Sequence, residues 1–111
     1  MSMDVFYALA EPRRRKIIEL LAANGQLSAT QICDRFDVTA QAISQHLKVL
    51  LDSGLLLVER RAQKRIYAIN TQSVMDMEEW AKHTLQMWNE RFDALDRVLE
   101  EEKKKNAKNK K

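Results

Sequence analysis

The stretch that decides the fold is Gln26 to Leu56, QLSATQICDRFDVTAQAISQHLKVLLDSGLL. Ser28 is a good N-cap and Gln31 stands three residues on, the spacing of a capping box. The helix they open carries Ile32, Cys33 and Phe36. Asp37-Val38 reads as a tight turn. Thr39 caps a second helix, which sets Ile43, Leu47 and Leu50 on one face, and Gly54 follows as the residue past its end. Helix, turn of three or four residues, helix is the spacing of a helix-turn-helix.

Working outward, Leu55 to Arg61 is β-prone and then charged, and Arg65-Ile66-Tyr67-Ala68-Ile69 alternates polar with apolar. Arg61-Ala62-Gln63-Lys64 lies between them, so a hairpin with a basic tip is expected, placed where a wing would follow a helix-turn-helix. No Asn-Gly or Asp-Gly marks a two-residue turn, and the loop length stays open. On the N-terminal side, Val5, Phe6 and Leu9 edge a short first helix. Pro12 starts the next, whose apolar residues are Ile17, Ile18, Leu20 and Leu21, with Asn24-Gly25 as its stop. Arg13, Arg14, Arg15 and Lys16 fall in that helix's first turn, where cations oppose the dipole; they are expected to serve something outside the helix. Contact with the DNA backbone and pairing with an Asp or Glu across the fold are both open.

Beyond residue 70 the pattern changes. Thr71 or Ser73 caps a long final helix in which Met77, Ala81, Thr84, Trp88, Phe92, Leu95 and Leu99 recur at three or four, widened by Trp80, Leu85 and Val98. The expected extent, Ser73 to Glu102, is longer than so small a domain can cover. Two Trp and a Phe on one stripe call for a second chain, hence a homodimer with an isologous interface. Lys103 to Lys111 has no apolar periodicity and is expected to be a disordered tail.

The whole is 111 residues with 19 Lys+Arg, 16 Asp+Glu and a net charge of +3. Residues 1–70 carry a net +3, 71–102 a net −6 and 103–111 a net +6. The expected division follows: 1–70 a DNA-binding winged helix-turn-helix, 71–102 a dimerisation helix, 103–111 a Lys-rich tail. The fold class is mainly α with a small β-hairpin. Two Gly and one Pro argue against most turn-rich β architectures, and a single Cys against a disulfide scaffold. Neither a secretory leader nor a membrane span is apparent, so a cytoplasmic protein with no membrane partner is expected. The two His stand apart from any plausible nucleophile and there is no phosphate-cradling Gly loop; neither an enzyme nor a cofactor is expected.

FYALAEPRRRKIIELL, the quoted stretch and ERRAQKRIYAI together resemble the ArsR-type winged helix-turn-helix transcriptional repressors, over about residues 5–70. The carrying parts are Phe6-Tyr7-Ala8-Leu9, Glu11-Pro12-Arg13-Arg14 and Ser44 through Leu55. The resemblance implies a homodimer joined by the first and last helices. Val5, Phe6 and Leu9 would then meet Met77, Trp80, Ala81, Thr84, Trp88, Phe92 and Leu95 in the interface. It also implies a repressor on an inverted-repeat operator, with half-sites about one helical turn apart. Many such proteins sense metals, but the positions of one common Cys-x-Cys site are Ser28 and Thr30 here, and the last helix has only His83 for the other. Soft metals need thiolates, so metal sensing is not expected.

Thr39 to Asp52 would be the recognition helix. Gln41, Ser44 and Gln45 are the candidates for base edges: Gln pairs two-pronged with adenine, and Ser bonds several bases. Thr39, Lys48 and the wing's Arg61, Lys64 and Arg65 are the candidates for phosphates. The plain alternative is a polar solvated face. Tyr67 is either a phosphate partner or a half-buried strand residue. His46 reads as a core-edge histidine and Cys33 as a small buried residue. Two other functions stay in view: a protein-interaction module that uses the last helix, and a metal- or thiol-responsive sensor acting through Cys33. An effector ligand or protein is left open as a partner.

Overall fold

The computed structural model describes residues 4–108. The elements, in order, are α1 (Val5–Ala10), α2 (Pro12–Asn24), β1 (Gln26–Ser28), α3 (Ala29–Cys33), α4 (Ala40–Asp52), β2 (Leu56–Arg61), β3 (Lys64–Ile69) and α5 (Thr71–Lys108). They fall into two compact units, Met1–Met75 and Asp76–Lys111.

Each helix of the first unit starts as its residues dictate. Asp4 accepts the N–H of Phe6 to open α1, and Glu11 accepts that of Arg14 to open α2 at Pro12. Ser28 and Gln31 form both halves of the capping box on α3. Thr39 Oγ1 accepts the Ala42 N–H at 3.1 Å to open α4. Gly25, at φ 86°, ends α2 with its N–H on the Leu21 carbonyl, a conformation that costs glycine little.

The core is one cluster. Ile17 and Leu21 of α2, Ile32 of α3 and Ile43, Leu47 and Leu50 of α4 are each at most 2% exposed, and Leu55, Leu56 and Tyr67 close it from the sheet side. Each such aliphatic side chain contributes roughly 1.5–3 kcal/mol by leaving water. The α4 periodicity read from the sequence is the periodicity that is buried.

Three features differ from the sequence expectation. The sheet has three strands, ordered β1-β3-β2 and antiparallel throughout, because Gln26–Ser28 pairs with β3 through Leu27↔Tyr67. The segment between α3 and α4 runs from Asp34 to Thr39, so Phe36 lies outside the helix, where it is half-buried. The wing turn is two residues, since Arg61 pairs with Lys64, and Ala62 supplies the turn at φ 56° without a glycine.

The start of α5 is bonded to the first unit. Asn70 Nδ2 and Ser73 Oγ both donate to the Gly54 carbonyl, at 2.9 and 2.6 Å, and the Asn70 N–H donates to the Leu55 carbonyl. Thr71 is the first helical residue rather than the cap, and Ser73 lies inside the first turn. These bonds carry the unit boundary to Met75, past the expected division at residue 70.

In the second unit α5 continues to Lys108, six residues past Glu102. Residues 103–108, expected to be disordered, are helical; 109–111 of the expected tail lie outside the described residues. Apolar periodicity was the wrong criterion there. Glu and Lys are good helix formers, Glu100-Lys104 and Glu101-Lys105 stand at i,i+4, and cations suit a helix C-terminus. From Ala81 onward every described side chain is exposed. No helix among the described residues is long and apolar enough to cross a membrane.

Candidate nucleic-acid interface

Burying Ile43, Leu47 and Leu50 turns the opposite side of α4 outward. Gln41, Ser44, Gln45 and Lys48 are all exposed, and their i,i+3 and i,i+4 spacings make them one patch over the first two turns. Their side chains make no hydrogen bond or ion pair with any described residue, so the chain does not use them for itself. Thr39 is exposed beside them, its hydroxyl oxygen engaged as the cap of α4.

The hairpin register sorts the wing cations by face. Arg61 and Lys64 pair across the tip, with Glu59 and Ile66 behind them on the same face. Arg61 Nη2 stands 3.0 Å from Glu59 Oε2, an exposed ion pair of the weak kind. Arg65 points to the other face, opposite Arg60, with Tyr67 two residues further along the strand. Thus the three expected wing cations do not form one patch. Arg60, which the sequence offered only as part of a charged strand, joins Arg65 instead. The signal that could have found it was the register, which a loop of unknown length withheld.

A groove of about 340 Å³ runs between α3, the first half of α4 and β3. Thr30, Cys33, Ser44, Arg65 and Tyr67 border it, so the outward patch of α4 and the inward-facing wing arginine meet at its rim.

Two arginines of the run at the start of α2 are used within the chain, on backbone carbonyls rather than on acids. Arg14 Nε donates to the Ala8 carbonyl at 2.6 Å, with a second nitrogen on Tyr7 O and the guanidinium over the Tyr7 ring. Arg15 Nη1 donates to the carbonyls of Leu9 and Ala10. Those carbonyls are the unpaired end of α1, so cations at one helix's N-terminus satisfy the previous helix's C-terminus. Arg13 and Lys16 stay exposed, without such a partner among the described residues.

His46 sits at the core edge, its Nδ1 3.9 Å from Glu11 Oε2. Cys33 is half-buried rather than buried, since it borders the groove between α3, α4 and β3. Among the described residues, no three His, Cys, Asp or Glu side chains are grouped to hold a metal ion. His83 is exposed on α5. Of the residues expected at a dimer interface, Phe6, Trp80, Trp88, Phe92 and Leu95 are 44–64% exposed in the single chain. Ala81 and Thr84 are exposed as well, and Val5, Leu9 and Met77 half-buried.

Known proteins share this arrangement. Residues 9–59 match the helix-turn-helix domain family model. The transcriptional repressor SdpR of Bacillus subtilis is 34% identical over 77 residues, 69% of this chain and 84% of that protein. A solved ArsR family transcriptional regulator is 26% identical with a TM-score of 0.69, covering 76% of this chain and 86% of its own. An ArsR-like transcriptional regulator from Rhodococcus sp. RHA1 shares the fold, with a TM-score of 0.77 at 24% identity over 85% of this chain and 88% of its own. With helix, turn, helix and wing in this order, the chain belongs to the ArsR-type winged helix-turn-helix family of DNA-binding transcriptional regulators.

Proposed function

We propose that two copies of the chain form a homodimer that represses transcription by occupying an inverted-repeat operator. The observation that carries this is the outward patch of α4: Gln41, Ser44, Gln45 and Lys48, unused within the chain and bordered by the wing. Gln41, Ser44 and Gln45 face base edges in the major groove, where the N-terminal residues of a recognition helix read sequence. Lys48, Thr39 and the wing's Arg61, Lys64 and Arg65 meet phosphates, which fix position and make binding fall with salt. The exposed aromatic stripe of α5, joined by Val5, Phe6 and Leu9 of α1, supports the dimer. Two Trp and a Phe left in water call for cover, and a second copy offers the same stripe.

The regulator is not metal-responsive. Ser28 and Thr30 stand where related sensors place cysteines. Ser28 is 6% exposed and committed to the capping box, so its hydroxyl already has a structural task.

A gel-shift against the DNA upstream of the protein's own gene is the test. A retarded band that a scrambled duplex does not give, weakening steeply with salt, is expected. No band at low salt with micromolar protein overturns the proposal. Size-exclusion with light scattering checks the dimer. A clean monomer would transfer the aromatic stripe of α5 to another protein partner.

A further inference from the structure

We propose that α5 carries a second interface beside the one that joins the dimer, and that through it two dimers close into a tetramer held by four α5 helices. It rests on the homodimer proposed above and adds one partner, a second copy of that dimer.

The first observation is the width of the apolar face. At about 100° per residue, every charged residue from Asp76 to Glu101 except Arg91 falls on one half of the helix. The large apolar residues of the same span fall on the other half. A two-stranded coiled coil covers only a narrow seam of residues that alternate by four and three. Here that seam is Ala81, Leu85, Trp88, Phe92, Leu95 and Leu99. Trp80, Met87 and Val98 lie at its outer edge, each more than half exposed. With Thr84 and Arg91 they follow the same alternation, the last step being a full heptad. This second seam is turned about 100° from the first, close to the right angle at which a helix in a square bundle meets two neighbours. Thr84 Oγ1 donates to the Trp80 carbonyl at 2.8 Å, so the one hydroxyl on the seam is already satisfied within the helix. Helix α1 has six residues, about 9 Å, whereas the second seam runs about 27 Å from Trp80 to Val98. The α1 helices of a dimer therefore leave most of it bare.

The second observation is register. Laid antiparallel along the first seam, Leu85 meets Leu95 of the neighbouring copy, Trp88 meets Phe92 and Ala81 meets Leu99, about a centre at residue 90. Laid antiparallel along the second, Trp80 meets Val98 and Met87 meets the stem of Arg91, about a centre at residue 89. The two centres agree to one residue, about 1.5 Å. A closed tetramer of D2 symmetry needs that agreement, because its two-fold axes cross at one point. Charge fits the same register. Glu90 flanks Glu90 of the neighbouring copy, and the two Arg91 beside them neutralise the pair. Antiparallel helices also turn both second seams of a dimer to the same side. Two dimers then make two such contacts at once, each too small to hold alone, so this interface depends on the first. One assembly carries the reading heads for two operators.

The test is size-exclusion with light scattering over a range of protein concentration. Wild type should reach the mass of four protomers. Met87→Glu with Val98→Glu charges the second seam and leaves the first intact, so its mass should stop at two. Gln86→Glu, on the charged half, should stay at four. Two upstream duplexes carrying a donor and an acceptor dye should show energy transfer with wild type only, while the double variant binds each with unchanged affinity. Wild type at two protomers at every concentration overturns the tetramer and leaves the dimer standing. Wild type at one protomer overturns both. A four-protomer mass that the double variant keeps, or that Gln86→Glu loses, overturns the second seam as its cause.

Discussion

The two units of the chain spend their apolar residues in opposite ways. In the first, Ile17, Leu21, Ile32, Ile43, Leu50 and Leu55 are at most 1% exposed. In the second, Trp80, Leu85, Trp88, Phe92, Leu95, Val98 and Leu99 are all more than half exposed. Both patterns arise from the same three-or-four spacing. A stripe that meets other elements of its own unit becomes core, and one on a helix that is a unit by itself stays exposed in the single chain. Hydrophobic periodicity alone therefore reports an apolar face, and only the presence of other elements beside it makes that face core.

The contrast is broken most severely from the core side. Leu50→Ala empties a fully buried site and should cost about 3 kcal/mol, read as a lower urea midpoint at fixed protomer concentration. A loss below about 1 kcal/mol would mean that the winged-helix unit draws little of its stability from its own interior.

From the other side, Trp88→Glu with Phe92→Glu should leave the winged-helix unit folded and abolish association. The dissociation constant of the proposed dimer should rise at least a hundredfold, about 3 kcal/mol for the loss of two central aromatic anchors. Light scattering should then give the mass of one protomer, and the melting temperature should stop depending on concentration. A dimer that survives both substitutions would place its interface elsewhere.

What the sequence made legible follows the same divide. The α4 helix was readable in cap, extent and buried face because its signals are local: Thr39, the spacing of Ile43, Leu47 and Leu50, and Gly54. The outward patch came with it, since a helix with one buried face has a defined opposite one. Strand β1 was not readable. Three residues with a single apolar member, Leu27, become a strand only because β3 lies alongside. Arg60 and Arg65 were present as residues but not as a directly opposed pair. Which wing cations share a face depends on register, and register depended on a turn that carries none of the usual residues. The helix past Glu102 was missed for a different reason, because there intrinsic propensity, not an apolar face, sustains it.

The arginine run shows how a tertiary partner reverses a local cost. Arg14 and Arg15 oppose the dipole of α2 but satisfy four carbonyls at the end of α1. Arg14→Ala should therefore destabilise by about 1–2 kcal/mol, since the Ala8 carbonyl belongs to a residue with no exposure and loses a charged donor. Arg13→Ala, at an exposed residue without such a contact, should change stability by less than about 0.5 kcal/mol. Equal losses at the two positions would mean that the charge of the run matters rather than its bonds to α1.

The smallest effect is expected at the wing tip, where the fold uses a residue poorly suited to its place. Ala62 sits at φ 56°, in the first position of a two-residue turn. An L residue there costs about 1–2 kcal/mol over glycine, and glycine returns part of that, about 0.5–1 kcal/mol, as backbone entropy lost on folding. Ala62→Gly should thus raise stability by about 0.5 kcal/mol, measured as a higher urea midpoint with an unchanged slope. Ala62→Val should lower it, because a branched side chain fits left-handed backbone worse than a methyl group does. If Ala62→Gly destabilises instead, the entropy of a free loop outweighs the strain, and the hairpin is held by its Leu56↔Ile69 and Val58↔Tyr67 pairs rather than by its turn. In that case the inner end of the wing belongs with the core, and only its tip is as exposed as the second unit.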